Sequence, residues 1–120
     1  MRPSAIALVA LAVGCSAPAP VSVDVGVSCA AETAVLRQRC TVTLRDRRTG
    51  RALDGATVVL QADMPSMPLV HTVRPVVAAP GGPPGTYHGT LELEMTGHWV
   101  IAVRVTGPVS DQVTQALEVN

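Results

Sequence analysis

Two thioethers and an imidazole fall within eight residues of one another in Met64-Pro65-Ser66-Met67-Pro68-Leu69-Val70-His71. A second group follows downstream in Met95-Thr96-Gly97-His98-Trp99. Thioether sulfur is a soft donor, and soft donors combined with imidazole select Cu(I). Pro65 and Pro68 restrict the unfolded loop and so lower the cost of ordering it. Loops carried by a rigid scaffold are also where binding residues collect. The pattern predicts a Cu(I) site built from Met64, Met67 and His71. Met95 or His98 becomes a further ligand if the fold brings their turn to the same end. Zinc fits less well, because histidines rather than free thiols are on offer.

The same residues have a purely structural reading. Methionine fills irregular gaps in cores, so Met64 and Met67 could plug the open end of a sandwich. Met95 is in phase with Leu91 and Leu93 and so reads as inward, whereas His88 and His98 fall on the outward phase. Convergence of Met64, Met67 and His71 on one solvent-open point would mark a ligand role. Divergence into the core would mark a structural one.

Enzymatic patterns are absent from the sequence. It contains no Gly-x-Ser-x-Gly, no His-Glu-x-x-His and no phosphate loop with its lysine. The Pro/Gly turn at residues 80–85 has no cation to meet a phosphate. Glu92 and Glu94 share a strand face, which is ordinary solvent-facing patterning. The expectation is a protein that is not an enzyme and has no small-molecule substrate.

The elements that must position these groups are strands. Apolar and polar residues alternate over residues 21–28, 39–45, 56–63, 86–95, 99–105 and 113–119. A further edge strand is expected over residues 69–77, broken near Pro75. Residues 64–68 cannot form a central strand, since Pro65 and Pro68 lack the ladder donor. Residues 30–38 read as a loop with room for a helical turn. The core is Val, Leu and Ala with no Phe, one Tyr and one Trp, and branched side chains favour a pleated surface. Trp99, in phase with Ile101, Val103 and Val105, is its expected anchor. About seven short strands with regular turns predict an all-β, immunoglobulin-like β-sandwich.

Met-Pro-x-Met at residues 64–67 precedes Gly85-Thr86-Tyr87, and Gly97-His98-Trp99 follows. Asp54-Gly55-Ala56 opens the strand that leads to the first of these. With Leu93-Glu94-Met95 before the last, residues 39–105 resemble the YtkA-like family of small extracytoplasmic domains, relatives of FixH. The resemblance implies an extracytoplasmic domain that assists a membrane redox or transport assembly. It therefore supplies an alternative to copper: a metal-free interaction or accessory module with a protein partner. A strand near residues 71–77, bearing few charges, could accept that partner by strand addition.

The N-terminus reads as an address. Arg2 precedes an apolar run over residues 5–13, the layout of a secretory signal, and far short of the ~20 residues that span a membrane. Leu11-Ala12-Val13-Gly14-Cys15 looks like a bacterial lipobox, with residues 1–14 as signal and Cys15 lipidated. Ordinary cleavage near Ala17 or Ala19 is the other reading, and it leaves Cys15 without a role. Residues 15–20 form a tether and residues 21–120 the domain. The expected location is the bacterial periplasm or cell envelope, anchored to the membrane through an N-terminal lipid. Cys29 and Cys40 remain as a pair sharing an inward phase, which predicts a disulfide joining the first two strands or the facing sheets. Charge is balanced and all nine basic residues are arginine. Only Arg45, Arg47, Arg48 and Arg51 cluster, around a turn with Asp46 and Asp54 beside them. Without interleaved aromatics this reads as a solvated turn, and no nucleic-acid partner is expected.

Overall fold

The computed structural model describes residues 22–32, 34, 36–67 and 73–120. Cys15, the signal and the tether lie outside the described residues, as does His71 with residues 68–72.

Seven strands follow in order: β1 (Val23–Ala31), β2 (Arg37–Asp46), β3 (Thr57–Asp63), β4 (Val76–Pro80), β5 (Thr86–Glu92), β6 (Gly97–Thr106) and β7 (Asp111–Val119). All pairings are antiparallel, in the order β1-β2-β5-β4-β3-β6-β7. Strands β1, β2 and β5 form one layer and β3, β6 and β7 the other, and β4 joins them by pairing with both β5 and β3. The order is that of a constant-type immunoglobulin sandwich. Strands β1 and β7, at the two ends of that order, approach each other and nearly close the sheet. Among the described residues no helix is long and apolar enough to cross a membrane.

The period-two pattern explains which side chains meet. Val42 and Leu44 of β2, Val58, Leu60 and Ala62 of β3, Tyr87 and Leu91 of β5, and Trp99, Ile101, Val103 and Val105 of β6 are all buried. Trp99 is the largest fully buried side chain. Its indole N–H, which needs a partner once buried, donates to the Met95 carbonyl at 3.0 Å.

Strand β4 differs from expectation in place and role. An edge strand was expected over residues 69–77; the observed strand begins immediately after Pro75. It pairs on both sides, Val76, Val77 and Ala78 with β3 and Ala79 and Pro80 with β5. A proline can precede a strand but cannot donate within one, so Pro75 ends the loop rather than breaking a strand. The link between β1 and β2 is shorter than expected. Glu32 N–H donates to the Arg37 carbonyl at 2.9 Å, closing a tight connection in place of a long loop.

Cys29 and Cys40 are direct cross-strand partners in β1 and β2 and form a disulfide. Of the two expected placements, adjacent strands is therefore the one found. Cys40 is fully buried and Cys29 partly so.

The register gives the sandwich two distinct ends. One gathers the start of β1, the β2–β3 connection at residues 47–56, the start of β5 and the β6–β7 turn. It is tied together by Tyr87, whose hydroxyl donates to the Leu53 carbonyl at 2.9 Å and accepts from Ala56 N–H at 3.3 Å. Gly85 N–H donates to Asp54 Oδ1 at 2.7 Å. The other end carries the β1–β2 link, the β3–β4 loop beginning at Met64, the β5–β6 turn and the end of β7.

Candidate functional site

The methionine groups meet at this second end. Met64 lies one residue beyond β3 and keeps the inward phase of Leu60 and Ala62, so it is only 4% exposed. Met67 N–H donates to the Met64 carbonyl at 3.1 Å, turning the chain, and Met67 is partly buried against the core. Across from them, the turn after β5 brings in Gly97 with φ of 136°. A Cβ on Gly97 would sit 2.9 Å from Met64 Cε. The β3–β4 loop and the β5–β6 turn are thus interlocked, methyl against backbone. The positive φ favours glycine here, and a side chain would have to push aside the flexible end of Met64.

Met64, read in the sequence as either a loop ligand or a core plug, packs into the core because the strand phase persists past Asp63. Met95, expected inward with Leu91 and Leu93, is 36% exposed. Strand β5 ends at Glu92, and residues 94–96 bend. The Met95 carbonyl turns in to accept the Trp99 indole N–H, and its side chain is left partly open to solvent.

His98 points outward, as its phase predicts. Its Nδ1 pairs with Glu118 Oε1 on β7, directly opposite in register, and both groups are exposed. It therefore lies on the other face of the sheet from buried Met64 and Trp99. His88 stands on the outer face of the first layer, where its Nδ1 shares a hydrogen bond with Thr41 Oγ1 at 3.1 Å. Among the described residues no three His, Cys, Asp or Glu side chains group as a metal site would need. A metal at this end would depend on thioethers.

An open groove beside the same end escapes the sequence reading. It is lined by Arg37, Val73, Arg74, Thr90, Glu92 and Glu94. Arg37 Nη2 meets Glu92 Oε1 at 2.9 Å along its wall. These residues come from β2, β5, the turn after β5 and the segment before β4, brought together by pairings between distant parts of the chain, so no local pattern marks them.

Comparison with known families matches residues 21–104 to the YtkA-like family. No curated protein matches, and no solved structure does. The matched span includes β1 to β5 and most of β6, and so contains both halves of the methionine–glycine interlock. The chain belongs to the YtkA-like family.

Proposed function

We propose that this protein is an extracytoplasmic module, tethered to a membrane through lipidated Cys15, that takes up Cu(I) at its loop end and hands it on. The observation that best supports this is the interlock. Met64 packed against Gly97 holds the β3–β4 loop beside the β5–β6 turn. Partly exposed Met67 and Met95 therefore sit at one end of the sandwich. Met64 then serves as anchor, and the soft donors are Met67 and Met95, with His71 from the same loop. His98 is engaged by Glu118 on the outer face and is left out of the ligand set. The Cys29–Cys40 disulfide supports an exported location, since disulfides persist in oxidising compartments.

A few soft donors near the surface suit an ion that must leave again, and the reading involves no turnover. Anaerobic titration with Cu(I) against a chromophoric chelator tests it. Leucine conserves the volume of methionine but removes the sulfur. Met67→Leu combined with Met95→Leu is expected to lower affinity at least about tenfold with little change in stability. Imidazole must be neutral to bind, so a His71 contribution is expected to fade as acid protonates it, while thioethers stay indifferent. Affinity unchanged in the double variant would reject the site.

A second reading has its own observation. Met64 is buried and Val77 on β4 is 67% exposed, which suits a metal-free accessory module that docks a protein partner of a membrane redox or transport assembly. Absence of Cu(I) binding by the wild-type chain would favour it.

A further inference from the structure

The arginine cluster lies at the end of the sandwich opposite the methionines, and it lies where the N-terminal segment joins the domain. Arg47 N–H donates to the Ser22 carbonyl at 2.8 Å, immediately before β1. The Arg47 guanidinium meets Asp24 Oδ1 at 2.8 Å and reaches the Val23 carbonyl at 3.5 Å. Ser22, the first of the described residues, is therefore held beside this turn.

The local acids are largely occupied. Asp46 Oδ1 accepts from Arg48 N–H at 2.8 Å and Thr49 N–H at 3.4 Å. Asp54 Oδ1 accepts from Gly85 N–H. Arg45 Nη1 donates to the Gly50 carbonyl at 3.3 Å, and Asp24 holds Arg47. Arg48 and Arg51 are exposed, and neither guanidinium has a hydrogen bond or ion pair among the described residues. Two guanidiniums thus remain with their donors available. Guanidinium is the side chain best matched to phosphate oxygens. A basic residue is attracted to an anionic leaflet within a Debye length of its surface.

We infer that the β2–β3 turn, through Arg48 and Arg51, is a docking surface for the phosphates of an anionic lipid membrane, and that it seats the domain upright on the membrane to which it is tethered. The inference rests on the lipid-tether part of the reading above and is independent of copper. The tether brings this end close to the lipid surface. The arginines then fix which end faces it.

The test uses the chain from residue 16 onward, without the apolar signal and without the lipidated cysteine, and vesicles of pure phosphatidylcholine or of phosphatidylcholine with phosphatidylglycerol. Arg48→Gln with Arg51→Gln is expected to lower partition onto the anionic vesicles on the order of tenfold, and to leave partition onto neutral vesicles unchanged. Arg48→Lys with Arg51→Lys is expected to keep most of the binding, because the charge remains. The difference is expected to vanish at high salt. Equal partition of wild type and the Gln variant on anionic vesicles, or an equal loss on both vesicle types, would overturn the inference. Both positions are exposed, so an unchanged unfolding midpoint verifies that each variant is folded. Failure of the tether itself would be seen separately, as absence of lipid on wild-type Cys15.

Discussion

Met64 and Trp99 show how a single side chain is assigned to the core or to the site. Trp99 is fully buried, and its indole N–H is satisfied by the Met95 carbonyl. Truncation to alanine removes both packing and the donor, so Trp99→Ala is expected to cost about 3–5 kcal/mol in chemical denaturation. Met64→Ala is expected to cost about 2–5 kcal/mol by the same measurement, as a buried side chain cut to a methyl. Alternation identified Trp99 and Leu91 as inward because each lies inside a strand. It misplaced Met95 because β5 ends at Glu92 and residues 94–96 bend, so the inward phase carries to Leu93 and no further. Met64 also lies past a strand end, yet its chain continues in the extended direction for one more residue. Nothing in the local sequence distinguishes these two cases. The difference is the Trp99 indole, which reaches back four residues and recruits the Met95 backbone.

At the scale of elements, two devices hold strands and turns in place. The first is the cystine across β1 and β2. On the chain-entropy account, closing a loop of this length stabilises the fold by about 2.8 kcal/mol. Cys29→Ala with Cys40→Ala is expected to lose stability of that order, and alkylation of the unfolded, unreduced wild type is expected to find no free thiol in the pair. The second device is Gly97. Gly97→Ala is expected to cost about 1–3 kcal/mol, from a strained backbone angle and from the Met64 methyl in its path. In a Met64→Ala background the cost is expected to shrink to the backbone part alone, and this coupling is read by a double-mutant cycle. Six of the strands were legible in the sequence to within a few residues, because each alternates between turn signals. Strand β4 was not. Its partners lie on both sides, and its start is set by Pro75 rather than by any apolar period. The pairing of β2 with β5 and of β3 with β6 was reachable only through the fold class, since register between distant strands leaves no local trace.

For the whole molecule, the proposed lipid anchor in the cell envelope makes a direct prediction. Metabolic labelling with a fatty-acid probe is expected to mark the wild type and to miss Cys15→Ala; equal labelling, or none, would count against the anchor. The arginine turn and the methionine end are separated by the length of the sandwich strands. At about 3.3 Å per residue, strands of seven to ten residues hold the two ends roughly 23–33 Å apart. That distance is several Debye lengths in physiological salt, each about 8 Å. Seated on its arginines as proposed, the domain would work as a stalk. Its thioethers would stand clear of the ion atmosphere over the lipid, at a fixed height. A transporter whose mouth opens flush with the bilayer would then lie below their reach. Under the copper-transfer proposal, the acceptor that fits this geometry would carry a domain of its own, rising about as far from the membrane as this one does.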